Sequence, residues 1–361
     1  MEASAYSGRG PYQLPEDYNM TFGKELALYR MITTRLPANE SAWLLSAVQL
    51  PTFSGNRDKD HASRAEIALA LNLILFHDLL TRVPSGKQYV SERLRSGHPI
   101  VFDHGALRTV ALRHMGTLPA GEEAITRVLV PLGYRVSALY PLDRLAMTGR
   151  AYTHSDLPEA LPQFFVSELH PERFSDAFQR AAARVTSSSR DPLGPTAVRL
   201  LDELHRRHWL PIQTAIDLLP VLLGCFSRQH ATPRWSDYEI LLTESPEMAW
   251  IATEGNAFNH ATDRVPSLDE LVVEQRRLNR PLKDSIETSA SGRIRQTAYR
   301  ADPVEREFID TSGALMRRRV PGSFFEFIQR EPRRDPTTGL LALDLAFDSG
   351  NAQGIFKMTA A

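Results

Sequence analysis

One seven-residue pattern occurs twice in this chain, and that repeat limits what it can fold into. Phe102-Asp103-His104-Gly105-Ala106-Leu107-Arg108 and Phe258-Asn259-His260-Ala261-Thr262-Asp263-Arg264 lie 156 positions apart. Each reads aromatic, short acid or amide, histidine, two small residues, a variable residue, arginine. A histidine and an arginine kept at one offset in both copies point to a duplicated module whose halves each aim an imidazole at a shared site. The chain is therefore a candidate metalloenzyme.

The bulk properties leave room for such an arrangement. With 361 residues, 42% of them hydrophobic, the chain can bury one pseudo-symmetric core with additions. Its 42 basic and 43 acidic residues form no long run of one sign, so we expect neither a nucleic-acid nor a membrane partner. The cluster Arg317-Arg318-Arg319 reads as a solvated strand end. A lone cysteine, Cys225, excludes an intrachain disulfide, and its setting between Leu223 and Phe226 reads as a packed thiol. The N-terminus carries Glu2, Arg9, Glu16 and Asp17 without the apolar stretch of a signal peptide, and we expect a cytoplasmic protein.

Local patterns divide the chain into an N-terminal arm and helical region over 1–95, a first module over 96–170, a helical insertion over 171–235 and a second module over 236–361. Residues 1–20 read as an extended arm. Ser63-Arg64-Ala65-Glu66 is a capping box that starts a helix running to Leu80, with Asp58, Asp60 and His61 read as capping groups rather than ligands. The first module is expected to contain a strand from Ile100 to Leu112, a helix from Glu122 to Leu132, and strands over Tyr134–Met147 and Gln163–Leu169. Helices are expected over Glu172–Arg184, Thr196–His208 and Ile212–Phe226, with Asp202, His205 and His208 on a solvated face. The second module should hold a helix over Leu268–Leu278, a strand over Arg293–Arg300 and a strand pair over Ala314–Gln329 broken at Gly322-Ser323. A short helix over Ser349–Phe356 closes the chain.

Side chains alternate along a strand, so His104 and Arg108 share a face, as do His260 and Arg264. Four strand residues span about 13 Å, and an arginine reaching back would leave a gap that suits a small carboxylic acid held between a metal on the histidine and the guanidinium fork. By the same alternation Asp103 and Asn259 should point to the opposite face and act only on strand ends or around the ligands. His98 and His114 are weaker ligand candidates. Glu326, inside Phe324-Phe325-Glu326-Phe327-Ile328, needs a cation if buried: a metal, or an arginine such as those at 317–319. Together His104, His260 and Glu326 make the two-histidine, one-carboxylate set that leaves positions on iron(II) open for substrate and dioxygen. No dinucleotide fingerprint, phosphate loop or nucleophile elbow is present.

The segments around these residues, with Gln163-Phe164-Phe165-Val166-Ser167-Glu168-Leu169, resemble the 2-oxoadipate dioxygenase/decarboxylase family, also called hydroxyglutarate synthase. The match runs in order from about 60 to 330. The resemblance implies an α+β fold like that of the vicinal oxygen chelate enzymes, with repeated βαβββ modules around a central metal site and added helical segments. It implies iron(II) at His104, His260 and Glu326 and a substrate carboxylate on Arg108, with Arg264 either a second carboxylate contact or a structural ion pair. It further implies that a 2-oxo acid, 2-oxoadipate by preference, reacts with dioxygen to give 2-hydroxyglutarate and carbon dioxide. Only 35 residues follow Glu326, fewer than in members of that family, which leaves the identity of the acid open. Two rival readings stay open beside it: a same-fold isomerase or lyase using another divalent metal, and a non-catalytic module that binds a small ligand. The oligomeric state is not fixed by the sequence.

Overall fold

Ser63 caps the helix that organises one face of the molecule. Its hydroxyl accepts from the Glu66 amide at 3.2 Å while the Ser63 amide donates to Glu66 Oε2 at 2.9 Å, satisfying two of the amide donors a helix start leaves open. The helix Arg64–Arg82 that follows is buried almost all round, Ile67 to Phe76 included. Phe76 lands on Phe102 with ring centroids 4.8 Å apart, so the helix is seated on the strand of the first motif. The computed structural model describes residues 27–53, 60–334 and 339–348.

The strands in chain order are β1 (His61–Ser63), β2 (Phe102–Val110), β3 (Tyr134–Leu142), β4 (Met147–His154), β5 (Gln163–Leu169), β6 (Trp209–Pro211), β7 (Phe258–Arg264), β8 (Glu287–Thr288), β9 (Ile294–Ala298), β10 (Pro303–Ile309), β11 (Leu315–Pro321), β12 (Phe324–Arg330), β13 (Pro332–Arg334) and β14 (Leu341–Leu343). One sheet has the order β3-β4-β5-β2-β7-β12-β9-β8. It divides at the antiparallel β2–β7 ladder into two halves of the same design. In one half β2, the helix Glu123–Leu129, β3, β4 and β5 follow each other, and β5 returns parallel to β2. In the other, β7, the helix Leu268–Arg277, β8, β9 and β12 do the same, and β12 returns parallel to β7. Each half is a βαβββ module, and the β10–β11 ribbon is inserted between β9 and β12 of the second.

The sheet separates two apolar layers. Phe102, Leu107, Phe164, Phe258, Ala261, Phe325 and Phe327 face the helices Arg64–Arg82, Pro84–Arg95 and Ile212–Gly224. Ala106, Phe165, Met147 and Leu169 face the other way, with the helices Asp176–Thr186, Trp235–Glu244 and Pro246–Glu254 at one end of that layer.

Several local expectations are corrected. The single strand over Tyr134–Met147 is the first arm of the β3–β4 hairpin, turned by Asp143–Leu145 and by Ala146 at φ 50°. The pair over Ala314–Gln329 is not a pair: β11 joins β10, while β12 lies between β7 and β9. Cap duty falls to Ser63 rather than His61, which packs edge-on against Trp209 with 4.1 Å between ring centroids. Cys225 is buried, and burial pushes its thiol up to about 12. Asp202, His205 and His208 are exposed, as are His98 and His114. The expected arm, Asp58 and the helix over Ser349–Phe356 lie outside the described residues.

Candidate metal centre

Two β-bulges set the geometry of the site. Across the β2–β7 ladder Phe102 faces Asp263, His104 faces Thr262, Gly105 faces Ala261, Ala106 faces His260 and Leu107 faces Phe258. Asp103 on one strand and Asn259 on the other are thus the extra residues, placed symmetrically about the Gly105–Ala261 pair. A bulge resets the alternation of a strand. Phe102 and Phe258 consequently point into the helix-covered core, while His104 and His260, two residues on, point to the opposite face. Gly105 is required by the same packing, since a Cβ there would lie 2.3 Å from Phe258 Cζ.

The bulges also overturn the expectation that Asp103 and Asn259 turn away from the histidines. Asp103 Oδ1 lies 2.8 Å from His104 Nδ1, and Asn259 Nδ2 lies 3.2 Å from His260 Nδ1. Each imidazole is held at Nδ1 by its own preceding residue, which leaves Nε2, turned toward Glu326, as the candidate ligand atom. Asn259 Oδ1 has no hydrogen-bond partner among the described residues, and a half-turn of that amide would give Nδ1–H an acceptor, the state an Nε2-bound cation needs.

His104, His260 and Glu326 are buried, and their ligand atoms all lie within 4.8 Å of one another. Glu326 Oε2 is 3.1 Å from His104 Nε2 and 3.4 Å from His260 Nε2. Ligands at right angles on one ion, with bonds of roughly 2.1 Å, stand about 3 Å apart, so the three atoms fit one divalent cation. Glu326 Oε1 is buried with no hydrogen-bond partner among the described residues, as suits a carboxylate that could hold a cation. Thr262 Oγ1 donates to Glu326 Oε2 at 2.6 Å and fixes the carboxylate. The pseudo-symmetry identifies a fourth position: β5 carries Phe165 where β12 carries Glu326, each two residues past the partner of its module's histidine. A phenyl ring therefore stands where a fourth ligand would complete the set.

Charge around the centre is strongly ordered. Arg330, fully buried, holds Asp103 through Nε to Oδ2 and Nη2 to Oδ1, both at 2.9 Å. Burial opposes ionisation of Asp103, but Arg330 and His104 outweigh it and keep the carboxyl well below its usual range. Burial likewise opposes the charged form of His104, yet hydrogen bonds to Asp103 and Glu326 raise its pKa. His260 has an amide rather than a carboxylate at Nδ1 and falls to about 3, through burial and the charges of His104 and Arg108, against the pull of Glu326. A neutral His260 is ready to bind metal at neutral pH.

The remaining candidates sort by position. Arg108 is buried on the face of the histidines, two residues past the partner of His260, with its guanidinium 5.0 Å over the Trp250 ring. Arg264 is half-exposed and directs Nη1 to Asp103 Oδ2 at 3.8 Å, an ion pair with the acid of the first motif rather than with Asp263. The basic cluster does not reach Glu326, for Arg317 pairs with Glu305 and Glu307 on the exposed ribbon. Sequence reasoning missed Thr262, Arg330 and Phe347, whose ring lies 4.8 Å from that of His104. One signal was available: Glu326 and Arg330 repeat the four-residue spacing of histidine and arginine in the two motifs. A cleft of 560 Å³ elsewhere is lined by Arg82, Glu254 and Arg306, whose charges are matched, Arg306 gripping Glu254 at 2.6 and 2.8 Å.

Comparison with known proteins gives this geometry a context. A sequence model of the 2-oxoadipate dioxygenase/decarboxylase family matches residues 78–337. The chloroplastic 2-oxoadipate dioxygenase/decarboxylase of Arabidopsis thaliana is 24% identical over 321 residues, covering 78% of this chain and 74% of that protein. Among solved structures, a putative glyoxalase superfamily protein from Ralstonia eutropha JMP134 is 51% identical with a TM-score of 0.84, over 91% of this chain and all of that one. The hydroxyglutarate synthase of Oryza sativa, solved in complex with 2-oxoadipate, is 18% identical with a TM-score of 0.61, over 86% of this chain and 98% of that one, and shares the fold.

Proposed function

Because this chain belongs to the 2-oxoadipate dioxygenase/decarboxylase family, we propose that it is an iron(II) dioxygenase that oxidatively decarboxylates and hydroxylates a small 2-oxo acid. The preferred substrate in this reading is 2-oxoadipate, which with one dioxygen balances to 2-hydroxyglutarate and carbon dioxide. The observation that carries it is the buried group of His104, His260 and Glu326 with Phe165 in the fourth position. Three protein ligands leave half of an octahedral sphere open.

Iron(II) bound there would supply a chelation site for the 2-oxo acid and the electrons that begin dioxygen reduction. His104 and His260 would hold it through Nε2 and Glu326 through its carboxylate. Arg330 and Asp103 keep the His104 ring in one orientation and place its Nδ1 proton. Phe165, Phe324 and Phe347 surround the histidines with apolar surface, which excludes bulk water and strengthens the attraction between an anionic substrate and a cation. Arg108, lowered by burial to about 10, stays cationic at neutral pH and offers its guanidinium to a substrate carboxylate.

The test is an oxygen-electrode assay of ferrous-loaded protein across 2-oxo acids of different chain length, with carbon dioxide measured in parallel. One oxygen consumed per carbon dioxide released is expected with 2-oxoadipate, and none in His260→Ala. Absence of oxygen uptake with every acid in the series would sink the dioxygenase reading and leave a metal-dependent isomerase, lyase or binding role.

A further inference from the structure

Gln163 opens β5 and pairs directly with His104, so its side chain lies on the face of the candidate ligands. Its neighbours confirm the parity. Phe164 packs on Tyr134, Phe226 and Phe258 in the helix-covered core, whereas Phe165 packs against Phe347 on the face of the histidines. The sheet registers place Gln163, His104, Thr262 and Glu326 side by side in one row across four strands. Gln163 is 1% exposed, yet among the described residues neither Nε2 nor Oε1 has a hydrogen-bond partner. Burying an amide in this way is unfavourable unless something arrives to satisfy it.

The two modules differ at this position. In the second, Phe324 is paired with His260 and stacks on the imidazole at 4.7 Å, needing no polar partner. In the first, the same place beside His104 is held by an amide. A fold that repeats an apolar contact in one half and breaks it with a donor and an acceptor in the other has made a polar subsite on one side of the centre.

We propose that Gln163 is a substrate-positioning residue whose Nε2–H donates to a carboxylate oxygen of the 2-oxo acid, at the end of the acid that meets the metal. The assignment rests on the functional reading above. The row it belongs to carries two of the three candidate ligands, so the end of the acid at the metal is the part within its reach. Arg108, beyond the partner of His260, approaches from another side and is left for the far end of the acid. The amide thus selects for an oxygen acceptor next to the 2-oxo carbon, and the guanidinium for what lies further along the chain.

The test is calorimetric titration of anaerobic, ferrous-loaded protein with 2-oxoadipate and with 2-oxohexanoate, which lacks the far carboxylate. Gln163→Met keeps the length of the side chain and removes both unsatisfied atoms, and Gln163→Leu is a shorter, branched second variant. Both are expected to lose about tenfold in affinity for each acid, with the ratio between the acids and the bound metal unchanged and the ligand-free melting temperature equal to or above that of the wild type. Unaltered affinity would overturn the assignment, as would a loss confined to 2-oxoadipate or a fall in melting temperature with loss of metal. A wild-type protein that binds neither acid would sink the functional reading itself, and this inference with it.

Discussion

Asp103 and Asp263 are both buried on the central ladder, and they differ in charge logic. Asp103 has a guanidinium in a two-pronged grip and stays ionised. Asp263 has the Tyr89 hydroxyl at 2.7 Å and the Val101 amide at 2.9 Å but no guanidinium in its grip among the described residues. Burial dominates over those two bonds and raises its carboxyl to about 6. Its folded pKa thus lies above the unfolded value near 4, so between roughly pH 4 and 6 the folded chain binds more protons than the unfolded one. Stability from this group falls as pH rises through that window and stays low above it. Asp263→Asn mimics the neutral acid and is expected to gain on the order of 1–3 kcal/mol at pH 7 but little at pH 4, measured by chemical denaturation. An equal gain at both pH values would refute this account. At this scale the sequence was informative about the candidate ligands, because residue type and a repeated context mark them. It was silent on Thr262 and Gln163, whose meaning comes only from the strands beside them.

At the scale of elements, the paired bulges are the feature that alternation alone misplaces. A strict period of two puts Phe102 with His104 and Phe258 with His260, whereas packing demands that the aromatics enter the core and the imidazoles leave it. The extra residue in each strand resolves the conflict, and Gly105 makes room for the Phe258 ring at the centre of the ladder. Gly105→Ala would press a methyl into that ring, and we expect a loss of about 1–3 kcal/mol with weaker metal binding, read from denaturant midpoints and metal content. Wild-type stability in this variant would show that the ladder is less tightly packed than described. The helix at Arg64–Arg82 was legible because its capping box is local. The β3–β4 turn was not, for Ala146 takes a left-handed conformation with no glycine or asparagine to announce it. Strand β10, and with it the pairing of β11 into a ribbon, was missed because these strands are largely solvated, with Phe308 and Val320 the buried contacts.

At the scale of the whole molecule, the candidate centre draws its ligands from both modules: His104 from the first, His260 and Glu326 from the second. A cation there would bind across the β2–β7 seam and favour the folded state over the unfolded one. At a hundredfold excess over its dissociation constant this amounts to about 2.7 kcal/mol, a rise of roughly 3–5 °C in melting temperature for a chain of this size. Chelator-treated protein is expected to melt lower and to recover on adding ferrous or manganous ion, while Glu326→Gln should not respond; an equal response in that variant would place the metal elsewhere. The duplication, the two histidines and the buried glutamate were determined by the sequence, since a repeated motif and a carboxylate among phenylalanines are visible residue by residue. Tertiary structure decided the rest. It placed Asp103 and Asn259 behind the imidazoles, Arg330 on Asp103 and Phe165 where a fourth ligand would stand. Such meetings depend on strand register, and register is set by which side chains the core on the opposite face will accept.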